Sequence, residues 1–394
     1  MKVKTRGILI LVATAFLLLA ASSLLADPLV VYCNQGQSIN RTLSWIDRDA
    51  QTTVFVQGTC TEYVRIKGFQ GLTLKGLPGA TLQQPSVDPT DGLSIQVLSI
   101  EASQSVTIDG FAIHSRSSAV AGVGIGGNSQ DVRLRNLAVD GAGAFGIFVF
   151  EASQVSLAKV TATDPGFATV GVADISDMHV EDCLFAESTG ASFHEGLFVS
   201  SGHVTVQRTT IRNMQIGIGI NAGGNVDIQS FNSYFPDVQP TDVIIENPAG
   251  TNFQGVSVGS GSTLHLGNTK LRVTNAGQPY GNNTAGVLVT DGGTLDAGAN
   301  LVVSGSQGQG VFVSNNSHAS LAGSSITGSG HGGLVAVNLS TIAVGASNPL
   351  TLIGGNGTDL FCDSKSQISG SSNLGGVPTV QCANLLSGDT VILP

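Results

Sequence analysis

Apolar and polar residues alternate in short bursts along most of this chain, and the bursts recur. Gly146-Ile147-Phe148-Val149 is followed by Val170-Gly171-Val172, Gly196-Leu197-Phe198-Val199 and Gly217-Ile218-Gly219-Ile220. The series runs on through Gly255-Val256-Ser257-Val258, Gly286-Val287-Leu288-Val289 and Gly310-Val311-Phe312-Val313, in steps of 21 to 27 residues and longer ones where loops are inserted. A few polar residues after each burst comes a second alternating triplet, such as Val132-Arg133-Leu134, Val155-Ser156-Leu157 or Met178-His179-Val180. A third follows, such as Leu137-Ala138-Val139 or Val160-Thr161-Ala162. Period-2 alternation predicts strands, and these are too short for hairpin ladders. Three short strands per repeat describe one coil of a solenoid, each strand pairing with its equivalent about 4.8 Å away in the next coil. The fold class predicted is all-β, a single-stranded parallel β-helix of about a dozen coils and roughly 55–60 Å long.

Registering the coils sorts the side chains. Cys183 aligns with Leu137 and Val160, so it is expected to point inward as a small hydrophobe. The outward position of the first strand reads Gly124, Phe148, Gly171, Phe198, Gly219, Ser257, Leu288, Phe312, Val335. Its aromatic residues form either a platform for sugar rings or a small satellite core under neighbouring loops. The outward position of the second strand reads Thr107, Arg133, Ser156, His179, Thr205, Asp227, His265, Asp296, Ser320. Its mixed charges predict a solvated face that avoids like-charge stacking.

The ends of the chain carry different signals. Lys2, Lys4 and Arg6 precede an apolar run from Ile8 to Ala26, the pattern of a secretory signal at 1–26; an uncleaved anchor is the alternative. Residues 27–60 are expected to form an N-terminal cap and first coil, 61–358 the β-helix, and 359–394 a final coil and C-terminal cap. Within the cap, Ile39, Leu43 and Ile46 at helical spacing predict a short amphipathic helix over 37–48. Export allows disulfides; Cys33 with Cys60 and Cys362 with Cys382 would staple the two ends, although four cysteines allow three connectivities.

Composition narrows the partners. The 394 residues include 52 Gly and only 11% charged residues, which disfavours both disorder and a helical bundle. The net charge is −10, and losing the three cations of the leader makes it −13. Nucleic acid is therefore excluded as a partner, because nothing could neutralise a row of phosphates. The mature chain is expected to be a monomer with no membrane span, secreted, periplasmic or at the cell surface.

The three-strand repeat resembles the right-handed parallel β-helix of the pectate-lyase-like superfamily over about residues 50–385. Asn136 sits at the bend between second and third strands, where that superfamily often holds Asn. The stretch from Thr59 to Ile66 with Leu72 to Gly76 resembles the opening coils of pectinesterase-like members. The resemblance implies polysaccharide binding on the first-strand face. It does not bring a catalytic motif. Gly330-His331-Gly332 and Arg65-Ile66-Lys67 match two polygalacturonase tripeptides, but in reversed order, about ten coils apart and without the two Asp motifs. Trp45-Ile46-Asp47 echoes a pectate-lyase signature but falls in the capping segment.

Candidate chemistry gathers around the first strand. Glu151 and Asp174 occupy equivalent positions in adjacent coils, close enough for mutual pKa shifts or, with Asp177, a shared Ca²⁺. His194 and Glu195 precede Gly196 at the opposite edge, and Asp164 ends a nearby third strand. Glu151, Asp174, Glu195 and Asp164 are the candidate catalytic carboxyls, since glycoside hydrolysis needs two of them about 5–9 Å apart. Ordinary surface charge is the alternative. Phe148, Phe198, His194, Arg212 and Tyr234 are the candidate sugar contacts. Three functions are consistent with these features: a binding protein for polysaccharide or surface glycan without catalysis, a carbohydrate-active hydrolase or lyase, and a structural envelope rod.

Overall fold

The computed structural model describes residues 28–88, 95–188, 194–229, 242–246, 254–277, 284–344, 352–369 and 380–382. Residues 1–26, read above as a secretory signal, lie outside the described residues. The chain winds into three parallel sheets of 13, 14 and 12 strands. The 13-stranded sheet, here the first, runs from Val64–Lys67 to Val380–Cys382; the second runs from Leu29–Tyr32 to Gln367–Ser369, and the third from Thr59–Thr61 to Leu352–Gly354. Successive coils advance by one strand in each sheet, which is the parallel β-helix anticipated from the repeats.

The anticipated columns are the observed ones. Phe148 pairs with Gly124 and Gly171, Phe198 with Gly171 and Gly219, and Phe312 with Leu288 and Val335. Inside, Val123, Ile147, Val170, Leu197, Ile218 and Val256 stack in consecutive coils and are fully buried. Each such side chain contributes about 1.5–3 kcal/mol through its removal from water. Cys183 is buried beside this stack, as expected, and burial pushes its thiol pKa up to about 12.

The repeat glycine has a geometric cause. A Cβ on Gly146 would lie 2.6 Å from the Thr169 carbonyl oxygen, and one on Gly196 or Gly217 2.6 or 2.5 Å from the carbonyl of Gly217 or Gly255. The chain kinks inward at this point, so two successive residues face the interior and alternation is broken once per coil. Gly217→Ala is accordingly expected to destabilise the protein by about 1–3 kcal/mol through overpacking against backbone. Thermal unfolding would show it as a lowered Tm, and an unchanged Tm would contradict the close approach.

Another internal ladder closes the bend after the first strand. The amides of Ser103, Ser129 and Ser153 donate to the hydroxyls of Ser129, Ser153 and Ser176 at 3.3, 3.1 and 3.1 Å. Buried backbone donors that the sheets leave unpaired are satisfied in this way.

At the N-terminal end the capping helix is shorter than the apolar spacing predicts, spanning Ile39–Leu43. Its start is fixed by Glu62, whose carboxylate accepts from the amides of Ile39 and Asn40, and by Ser38, which accepts from Arg41. It ends in tightened turns, in which the amides of Trp45 and Ile46 donate to the carbonyls of Thr42 and Leu43, and Trp45 is 80% exposed. Disulfides join Cys33 to Cys60 and Cys362 to Cys382.

On the second sheet, His265 lies 3.2 Å from Asp296 in the column expected to alternate in charge. His203 bridges Asp177 at 2.9 Å and Asp227 at 3.1 Å. Burial alone would lower the His203 pKa, but the two carboxylates outweigh it and hold the value above the usual range.

Candidate functional site

The inward kink at each repeat glycine decides what the first sheet presents to solvent. Residues 146 and 147 both turn inward, so Phe145 and Phe148 share the outer face, and their rings stack at 4.2 Å. Phe150 stacks on Phe148 at 5.1 Å, while Phe167 meets Phe145 and Phe198 edge-on at 5.5 and 5.2 Å. Five phenylalanines thus form one continuous patch across three coils. Four are half-buried and Phe167 is exposed, so the rings pack on one another yet still reach the surface.

Glycine makes the space. A Cβ on Gly171 would lie 2.6 Å from the ring of Phe145 and 3.0 Å from that of Phe148, and one on Gly126 2.6 Å from Phe150. Phe148 and Phe198 were legible from their column. Phe145 was not, because strict alternation assigns it to the wrong face, and Phe150 and Phe167 flank the strands in which the columns are read.

Glu195 occupies the same ladder column as Phe145, through Ala168. Its side chain lies across Gly219, where a Cβ would approach Oε2 to 2.2 Å. Oε2 is buried without a hydrogen-bond partner, and burial pushes the carboxyl pKa up to about 7. Beside it, His194 Nδ1 lies 2.8 Å from Glu187 Oε1, a close approach without the alignment of a hydrogen bond. Glu187 Oε2 and Gln215 Oε1 are likewise buried and unpartnered. Such groups are rare in folded proteins and ask for an explanation in bound water, ligand or proton chemistry. Neither Glu187 nor Gln215 was singled out from sequence. The available signal was a pair of carboxylates in adjacent coils, Asp164 and Glu187, directly after the third strand, where other coils place Ser115, Gly141 or Asn213.

Asp164 belongs to this corner: its Oδ1 accepts from the amide of Ser188 at 2.7 Å, fixing the chain just after Glu187. Arg212 borders it through its carbonyl, which accepts from Glu187 N, but its side chain is exposed on the third sheet. Glu151 and Asp174 sit at the opposite edge, in left-handed turns with φ of 56° and 54°. Glu151 Oε2 accepts from Gly127 N at 2.7 Å. Six residues of strand separate this edge from the Glu195 edge, about 20 Å. The four candidate carboxyls therefore do not converge on one pocket. Asp177 is turned to the second sheet by His203. Among the described residues no group of three or more His, Cys, Asp or Glu side chains is placed to hold a metal ion. Tyr234 lies outside the described residues.

Comparison with known proteins supports the fold. The family described as right handed beta helix region matches residues 94–233. The catalytic unit of a thermostable GH87 alpha-1,3-glucanase from Streptomyces thermodiastaticus superposes with a TM-score of 0.52 at 12% identity, covering 91% of this chain and 70% of that one. An exopolygalacturonase from Thermotoga maritima gives 0.43 at 12% identity, with 84% and 80% covered. The Dettilon tailspike protein gives 0.43 at 13% identity; the match covers 84% of this chain but only 62% of the tailspike's length. No curated protein matches. At these identities the likeness is one of fold.

Proposed function

We propose that this chain, a right-handed parallel β-helix protein, is an exported protein that binds a neutral polysaccharide along the aromatic face of its first sheet. The carrying observation is the patch of Phe145, Phe148, Phe150, Phe167 and Phe198, whose rings reach the surface over three consecutive coils. Flat apolar ring faces suit the C–H faces of pyranose rings, and a linear polymer can follow the repeat along the axis. Charge supports a neutral polymer, since a protein of net charge −10 repels uronate chains. The glucanase fold likeness and the two disulfides agree with an extracellular carbohydrate setting. Affinity electrophoresis through gels cast with neutral and uronate polysaccharides tests the reading. Retention is expected in a neutral gel, and Phe198→Ala is expected to weaken it about five-fold, the loss of roughly 1 kcal/mol of ring contact. Equal retention of the variant, with an unchanged Tm, would count against the site.

One observation favours a second reading, a carbohydrate-active enzyme. A buried carboxyl with a pKa near 7 is half-protonated at neutral pH and suited to donating a proton to a glycosidic oxygen. Glu195 would be that acid, with Asp164 or Glu187 at the same corner as the second carboxyl. Reducing-sugar release from the retained polysaccharide, abolished in Glu195→Gln, is the expected result if this reading holds. Retention without release leaves binding alone.

A further inference from the structure

The two outer columns that build the site around Phe198 recur nearer the C-terminal end. From Glu195 the ladder runs through Ile216, Gln254 and Ala285 to Gln309; from Phe198 it runs through Gly219, Ser257 and Leu288 to Phe312. Four coils separate the two pairs, about 19 Å along the axis. Here a cleft of about 420 Å³ opens on the first sheet, bordered by Gln309, Phe312, His331, Val335, Thr358 and Phe361. That volume falls within the ordinary range for small-ligand sites, about 300–1,000 Å³. Phe312 and Val335 pack with Ala285, Leu288 and Val337 in an apolar cluster separate from the main core, which gives the cleft a firm floor. Above it, Gln309 Oε1 is buried with no hydrogen-bond partner, as Oε2 of Glu195 is in the equivalent position. No Asp, Glu, Lys or Arg borders the cleft among the described residues.

We propose that this cleft is a second carbohydrate subsite, which takes the apolar face of a neutral hexose ring against Phe312 and Val335 while a ring hydroxyl donates to Gln309 Oε1. The assignment of a sugar rests on the reading of the first sheet as a glycan-binding face; the cleft itself does not. A pure hydrocarbon would leave that amide oxygen without a partner, whereas a hydroxyl supplies one. A cationic ligand would find no carboxylate there on desolvation, and an anionic one no Lys or Arg. A hydroxylated ring satisfies both conditions, and Thr358 at the rim offers a further hydroxyl partner. Where Glu195 presents an ionisable group, Gln309 presents an amide that keeps one form at every pH. Two subsites on one face also make affinity depend on polymer length, because a chain that engages one raises the effective concentration at the other.

The test uses the full chain and saturation-transfer NMR with the methyl glycosides of glucose, galactose and mannose as probes, and cyclohexanol as an apolar control. In a Phe198→Ala background, at least one glycoside is expected to retain saturation transfer. Adding Gln309→Leu, close in shape to the native side chain, is expected to reduce that signal at least five-fold with an unchanged Tm. Residual glycoside signal that survives Gln309→Leu overturns the subsite, as does its absence in Phe198→Ala alone. Cyclohexanol bound while every glycoside is rejected also overturns it. If Phe198→Ala changes nothing in polysaccharide gels while Gln309→Leu abolishes glycoside binding, the subsite stands and the aromatic-patch reading falls.

Discussion

Phe185→Ala is expected to lower the free energy of unfolding by about 3–5 kcal/mol, the usual range for removing a fully buried phenylalanine. The upper half of that range is favoured by the neighbours. On the third sheet Phe185 pairs with Ala162 in one coil and Ile211 in the other, so its ring fills space that the small Ala162 leaves open. Truncation would set alanine beside alanine and leave a cavity that the coils, held 4.8 Å apart by their ladders, cannot close. Because a solenoid's stability is a sum over coils and their interfaces, the damage should divide the rod near this coil. Denaturant unfolding followed by circular dichroism would report it. A loss below about 1 kcal/mol would mean the coil is looser than its packing implies.

The second large effect concerns Glu195 and depends on pH. Burial raises this carboxyl from its ordinary 4.5 to about 7, so the folded protein holds its proton more tightly than the unfolded chain does. Below about pH 4.5 the group is neutral in both states and costs nothing. Between about pH 4.5 and 7 the unfolded chain is ionised while the folded one keeps its proton, so stability falls across this window and the loss is complete above about 7. The full difference is about 3 kcal/mol. Glu195→Gln should therefore match the wild type at pH 4 and exceed it by about 3 kcal/mol at pH 8.5. Unfolding curves at the two pH values measure this. Equal stability at both would show that the side chain is solvated and would remove the basis for the enzymatic reading.

Much of the fold was legible because the repeat carries its own marker. The glycine that opens each first strand is required by the carbonyl of the next coil, so aligning these glycines aligns the coils. The inward place of Cys183 and the membership of both outer columns follow from that alignment. The same glycine explains what was missed. It bends two residues inward in succession, so Phe145 comes to the outer face one position earlier than period 2 allows. The corner from third to first strand has variable length and no period, so nothing in the sequence tied Glu187 and Gln215 to Glu195. Glu151 and Asp174 were correctly placed in adjacent coils, yet a strand's width keeps them from Glu195, a distance that residue type alone does not reveal. The capping helix was read too long because apolar spacing carries no information about Glu62, which fixes its start, or about the tightened turns from Thr42 to Ile46 that end it.

The most direct measurement is a crystal structure of the protein with an oligosaccharide cut from whichever polysaccharide retains it. Sugar rings lying face-on against Phe148 and Phe198, with the chain running along the helix axis, are the expected result. An oligosaccharide seated instead on the second or third sheet, with the phenylalanine patch bare, would contradict the account.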